Sequence, residues 1–282
     1  MRYLTLFLLL FLTGQLQAQG FIAEQIKEQV LDADVFIGVD KFDNIFYTKN
    51  RTLYKSETRQ TLEYAALNLG EITTVDIVNP FKISVFYKQS NTVVLLDNTL
   101  TEIIRIEFSN LEDFRNSAIA RTANDRRLWI FNTDLQQLEL FDYRLNSVIV
   151  QFPPQTSIPY AYVSNFNFCW IQEKDALRGY NIYGTLVEEI AIPFNFEKLV
   201  QSQNTLIGVK DNSFYIKQAR DISFTSIDNL KITAQEFSLI GEILYIYNGQ
   251  HLLTYSIKPA NCLLYTSPSP RDKRQSRMPS SA

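Results

Sequence analysis

Between Phe36 and Ile257 the chain repeats one phrase about six times: an apolar strand, an aromatic strand, a strand with polar edges, then a weaker alternating one. The second strands show the period. They read Ile45-Phe-Tyr-Thr48, Ser84-Val-Phe-Tyr87, Leu128-Trp-Ile-Phe131, Phe168-Cys-Trp-Ile171, Leu206-Ile-Gly-Val209 and Ile243-Leu-Tyr-Ile246. Their spacing of roughly 37 to 44 residues is that of four-stranded propeller blades. The fold expected is all-β, a six-bladed β-propeller, with seven blades the alternative if another unit followed.

Within each unit, short runs of Val, Ile, Phe and Tyr are bounded by Asn, Asp and Gly, which is how strands and tight turns read. Asp43-Asn44, Asp97-Asn98 and Asp211-Asn212 are natural corners, because Asn and Asp tolerate left-handed backbone. Glu102-Ile-Ile-Arg-Ile-Glu107 alternates like an outer strand with one wet face, whereas the first strands are more uniformly apolar and should be packed on both sides. The fifth unit is read through Leu199, Ile207, Phe214-Tyr-Ile216 and an outer strand at Ile222-Ser-Phe224. The sixth unit has only three strands, ending in His251-Leu-Leu-Thr-Tyr-Ser-Ile257. Phe21–Val30 belongs to no unit and has the mixed pattern of an outer strand. It is expected to pair beside His251–Ile257 and complete the last blade, although its apolar positions also fit a helical face.

The two ends stand apart from the repeat. Arg2, the apolar run Leu4–Leu12 and the segment ending at Ala18 have the three-part plan of a secretory signal peptide, so residues 1–18 are read as one. Cys262-Leu-Leu-Tyr-Thr-Ser-Pro-Ser-Pro-Arg-Asp272 back-translates into DNA that resembles the transposon end and adapter of a sequencing library. Ser276–Ala282 fits the far end of the same adapter, with Lys273-Arg-Gln275 in place of the index. Residues 262–282 are therefore read as a non-native, disordered tail, and 19–261 as a single domain.

Charge and cysteine have to be recounted on that basis. Without Arg2 and the tail, 22 basic and 29 acidic residues remain, and the net charge moves from −3 to −7. The remaining stretch is mildly acidic and reads as lacking a cationic patch, so nucleic acid is not an expected partner. With Cys262 set aside, Cys169 is a lone thiol in an apolar strand, a packing role rather than half of a disulfide. The one histidine, His251, falls in a different unit, so a Cys–His nucleophile is not expected. No apolar run is long enough to span a membrane.

Ligands of such rings sit where first strands open into the central channel, and Asp40, Asp76, Arg121, Asn165 and Gln203 occupy matching places there. Asp40, Asp76 and Asn165 supply hard oxygen ligands of the kind calcium takes, but each also suits a turn. The reading adopted is no catalytic residue, no metal ligand and no cofactor. Phosphate loops, paired Cys or His ligands and Gly-x-Ser-x-Gly elbows do not occur. Aromatic residues make up 13% of the chain, mostly on second and third strands where blades pack. Tyr160, Tyr162 and Phe166, with Phe168, are left as candidates for a binding face. Asn50-Arg-Thr52 matches a glycan-acceptor pattern.

The Gln-Ala-Gln signal end, the opening Ala33-Asp-Val-Phe-Ile-Gly-Val-Asp40 and the Leu96-Asp97 and Phe141-Asp142 turns resemble those of exported propeller-like proteins of Flavobacteria and related Bacteroidetes. The resemblance implies an envelope location, periplasmic or extracellular, and brings no catalytic residues with it. Taken together, the expectation is an exported, monomeric, non-catalytic module that binds protein or glycan on one propeller face. Two other readings stay open: a propeller hydrolase or lactonase with a central divalent cation, and an accessory factor for envelope assembly or secretion.

Overall fold

The computed structural model describes residues 20–174 and 176–260; the signal-peptide and tail readings fall outside them. Among these described residues every regular element longer than three residues is a strand. In chain order these are β1 (Phe21–Val30), β2 (Val35–Val39), β3 (Ile45–Lys49), β4 (Thr52–Ser56), β5 (Thr61–Tyr64), β6 (Thr74–Asp76), β7 (Ile83–Tyr87), β8 (Thr92–Leu96), β9 (Glu102–Glu107), β10 (Ser117–Thr122), β11 (Arg127–Asn132) and β12 (Gln137–Asp142). Then follow β13 (Ser147–Gln151), β14 (Ala161–Ser164), β15 (Phe168–Gln172), β16 (Ala176–Asn181), β17 (Leu186–Ala191), β18 (Lys198–Ser202), β19 (Thr205–Lys210), β20 (Ser213–Lys217), β21 (Thr225–Lys231), β22 (Glu236–Ile240), β23 (Ile243–Tyr247) and β24 (His251–Pro259).

Four sheets are antiparallel meanders of four strands, β2 to β5, β6 to β9, β10 to β13 and β14 to β17. The remaining strands form one continuous sheet in the order β18-β19-β20-β21-β1-β24-β23-β22. β1 joins its two halves. It runs antiparallel to β24 from Phe21↔Pro259 to Val30↔His251, and touches β21 in parallel only at Phe21↔Ile227 and Ile22↔Asp228. The N-terminal segment is thus an outer strand beside β24, as its pattern suggested. A helix there would leave the β24 edge unpaired, while the strand satisfies it along its whole length.

Asn229 holds this junction. Its side-chain carbonyl accepts the Ala23 N–H at 3.1 Å, and its amide donates to the Ala23 carbonyl at 3.0 Å. Asn229 has a backbone φ of +56°, a conformation Asn tolerates, and its side chain takes the place of a rung between β21 and β1.

The core lies between successive sheets. Phe46 and Leu53 pack on Ile83, Val85 and Tyr87; Phe86, Val93 and Leu95 pack on Leu128, Ile130 and Phe141; Trp129 and Leu140 pack on Cys169, Ile171 and Tyr180. Farther round, Trp170 and Leu177 meet Leu206, and Ile207 and Phe214 meet Leu244 and Ile246. The circuit closes where Tyr247 and Leu252 pack on Phe36 and Val39. There the Tyr247 hydroxyl donates to the Ala33 carbonyl at 2.7 Å. Alternate residues of one second strand thus serve two different interfaces, which is why these strands carry the aromatic content.

Two expectations need correction. Ile222-Ser-Phe224 is not a strand: it lies in the connection before β21, and Ile222 is 94% exposed. The chain delays until Ile216↔Thr225 can pair, after which Ile227 and Leu230 turn inward. Nor are the first strands the most enclosed. β7 and β8 are buried at every position, whereas β18 is largely half-buried, because first strands face the channel on one side.

Candidate functional site

β2, β6, β10, β14, β18 and β22 surround a central cavity of about 700 Å³. Each first strand leaves through a tight turn into the second strand, and successive turns touch. Phe42 meets Phe81, Lys82 Nζ donates to the Asp125 carbonyl at 2.8 Å, the Asn124 N–H donates to the Phe166 carbonyl at 2.9 Å, and the Gly241 N–H donates to Ser202 Oγ at 3.1 Å. These turns therefore gather at one mouth of the channel.

The expected channel residues do line the cavity: Asp40, Asp76, Arg121, Asn165 and Gln203 all contribute to its wall. The side-chain oxygens of Asp40, Asp76 and Asn165 are engaged within the protein. Asp40 Oδ1 accepts the Phe42 and Asn44 N–H groups at 2.8 and 3.0 Å, and Oδ2 accepts the Asn44 amide. Asn165 Oδ1 accepts the Asn167 and Phe168 N–H groups, both at 2.9 Å. Gln203 is exposed in the β18–β19 turn with φ of +52°. Asp40 and Asn165 are thus Asx-turn formers, the role their spacing also allowed.

Asp76 does something different. It is 2% exposed, and its Oδ1 accepts the Val78 N–H at 2.9 Å. Its Oδ2 accepts the Thr122 N–H from β10 at 3.0 Å and lies 3.4 Å from Arg121 Nε. The neighbouring Thr122 hydroxyl meets Ser84 Oγ at 3.2 Å. Asp76 therefore rivets two adjacent sheets, and the cation beside it is a guanidinium. Among the described residues no three His, Cys, Asp or Glu side chains converge as a metal site would require.

The aromatic candidates separate. Tyr160 precedes β14 and is 61% exposed, Phe166 follows it, and Tyr162 is half-buried between them. The length of β14 puts Tyr160 and Phe166 at opposite mouths, so they cannot form one face. Phe168 turns partly into the protein on β15. Cys169 is buried, and burial pushes its thiol up to about 12, against nucleophilic use. His251 lies in another sheet, 3.9 Å from Glu28.

Sequence reasoning missed the groups that stand out at the turn-bearing mouth. Phe42 and Phe81 are 54% and 56% exposed and meet edge-to-face with centroids 5.8 Å apart. Lys41 Nζ sits over both rings, at 5.1 and 5.5 Å. The available signal was a Phe at the centre of the polar turn Asp40-Lys-Phe-Asp-Asn44 and another directly after Pro80. A second correction concerns charge. Lys82, Arg126, Arg127 and Arg144 converge on a recess of about 450 Å³ at the same mouth, so a cationic patch does exist. It was hidden because Lys82 lies in another unit of the sequence than the Arg126-Arg127 pair, and Arg144 at another turn.

No family model and no curated protein matches the chain. Solved structures do. A streptogramin B lyase superposes with a TM-score of 0.58 at 10% identity, covering 84% of this chain and 98% of that one. A catalytically inactive virginiamycin B lyase from Staphylococcus aureus with quinupristin gives 0.57 at 12% identity, covering 84% and 99%. A chain of a mitotic checkpoint complex gives 0.55 at 11% identity, covering 86% and 94%. At such identities the likeness speaks for fold alone: this chain is an all-β protein of propeller type, whose described residues form four four-stranded sheets and one continuous sheet of eight strands. Among the described residues no helix is long and apolar enough to cross a membrane.

Proposed function

We propose that this chain is an exported, non-catalytic propeller of six blades, the sixth made of β22, β23, β24 and β1, which binds a protein partner on the mouth that carries Phe42 and Phe81. The observation that carries the reading is the Phe42–Phe81 pair. Two large apolar side chains are more than half exposed, yet each stands in a turn fixed by Asx hydrogen bonds, Asp40 to Phe42 and Asn79 to Phe81. Rigid, exposed aromatic groups lose little entropy on contact and make effective anchors. Propellers serve both as enzymes and as platforms, and the channel carboxylates here are engaged in turns and in an inter-sheet rivet, which favours the platform. Envelope location rests on the N-terminal pattern and on the resemblance to exported proteins.

The test is site-specific photo-crosslinking from position 42 in envelope fractions. A discrete protein adduct that disappears in Phe81→Ser supports the reading. An unchanged adduct pattern in Phe81→Ser, or a glycan that protects the site instead, overturns it. The cation-dependent hydrolase reading is checked in parallel. It predicts a calcium-dependent rise in melting temperature that Asp40→Ala and Asp76→Ala both abolish.

A further inference from the structure

We infer that the recess between the β6–β7, β10–β11 and β12–β13 turns is a binding site for a phosphate-type oxyanion. Six residues line it: Lys82, Asp125, Arg126, Arg127, Tyr143 and Arg144. Four are cations and one is a carboxylate, in a chain whose net charge is −3. The concentration of positive charge runs against the protein's overall field.

The cations are not neutralised internally. Among the described residues, Arg126 alone of the four has a carboxylate within ion-pair distance, its Nε lying 2.9 Å from Asp142 Oδ2. That contact uses one edge of the guanidinium and leaves the two terminal nitrogens for a ligand. Asp142 in turn accepts the Arg144 and Leu145 N–H groups at 2.9 and 3.1 Å. One carboxylate therefore orients both the Arg126 side chain and the turn that carries Arg144.

Lys82 is held in place by neutral partners. Its Nζ donates to the Asp125 carbonyl at 2.8 Å and to the Tyr143 hydroxyl at 2.9 Å, and it lies 5.6 Å from the Tyr143 ring centroid. Two of its three donors are thus committed to uncharged acceptors, none of its partners is a carboxylate, and one donor is left to spare. Arg127 makes only a long contact, 3.4 Å to Asn124 Oδ1. A half-buried lysine fixed against a tyrosine, flanked by three arginines, supplies the fork donors and point charge that recognise phosphate oxygens. The exposed Asp125 side chain is the one carboxylate in the lining and opposes an anion there, so the four cations must outweigh it.

This site is independent of the protein-binding reading above. The shared chemistry is a phosphate group, free or on a lipid headgroup, and the experiment separates the two. Titration calorimetry of the full chain with inorganic pyrophosphate at low salt is expected to show saturable binding. Lys82→Gln and Arg144→Gln should each weaken it by about tenfold, the loss of one charge-assisted contact. Any basic residues of the tail are common to all variants, so only the difference between variants is read. A parallel arm measures flotation with phosphatidylglycerol and phosphatidylcholine vesicles. Binding to phosphatidylglycerol that both substitutions abolish, without pyrophosphate binding, assigns the site to a lipid phosphate. Two outcomes overturn the inference: equal binding by parent and variants in both arms, or heats that follow ionic strength alone and are matched by chloride.

Discussion

Glu139 is fully buried on β12, and its removal tests how the third sheet is held together. Its Oε1 accepts the Gln137 amide at 3.0 Å and the Asn132 amide at 3.4 Å, while Oε2 faces Arg115 Nε at 3.1 Å. Arg115 is itself 7% exposed. A unit charge pair at this separation is worth about 5 kcal/mol at an effective dielectric near 20. In Glu139→Ala the guanidinium stays buried but keeps the Asp113 side chain and the Asp113 and Phe114 carbonyls. The expected net loss is therefore about 3 kcal/mol, at the low end for breaking one side of a buried pair. For a domain of this size that corresponds to a melting temperature lower by about 6–12 °C. Replacing both partners, Arg115→Met with Glu139→Leu, should recover most of the loss, because the stranded charge is the main penalty. Differential scanning calorimetry of the parent, Arg115→Met, Glu139→Leu and the double variant gives the coupling, with Glu139→Ala measured alongside. A double variant no more stable than the sum of the singles would refute the argument, as would a Glu139→Ala protein that melts with the parent.

Three further predictions follow from local contacts. Asn229→Ala removes both hydrogen bonds to Ala23 and should cost about 1–2 kcal/mol, with faster hydrogen exchange confined to β1 and its partners; uniform exchange across the sheets would contradict a latch. A Cβ at Gly208 would stand 2.4 Å from Phe196 Cδ1, so Gly208→Ala should destabilise by about 1–3 kcal/mol in urea, with partial relief from Phe196→Leu; an unchanged midpoint would show that the ring moves freely. Acid should destabilise the fold. The Thr99 hydroxyl holds Asp97 below its usual range, the Arg105 guanidinium does so for Glu102, and at Asp142 burial works the other way but is outweighed by Arg126 and two N–H groups. These folded values lie below the unfolded ones, so the stabilisation is present above about pH 4 and is lost as pH falls through them; a decline between pH 7 and 5 would point to other groups.

Much of the strand plan was legible because second strands such as Leu128–Phe131 serve two interfaces and must be apolar on both sides. The outer strand of the fifth unit was misplaced because β21 carries its apolar side chains at Ile227 and Leu230, separated by two exposed polar residues, while Ile222 imitates a strand from an exposed connection. The residues that follow first strands line the central cavity, since the repeat specifies register. Their roles were not legible. Whether Asp76 faces a ligand or Thr122 depends on the distance between two sheets, and no spacing within one unit encodes it.

The sequence by itself determined the repeating strand unit and most of its strands, because alternation and turn chemistry act between near neighbours along the chain. The pairing of Phe21–Val30 with β24, over its helical alternative, was settled by the structure. Only the tertiary structure decided which side chains share a mouth of the ring. It separated Tyr160 from Phe166, set Phe42 against Phe81 and drew Lys82, Arg126, Arg127 and Arg144 into one recess. The physical reason is that turns from different sheets meet only when the ring closes, and closure brings together residues that no local pattern links.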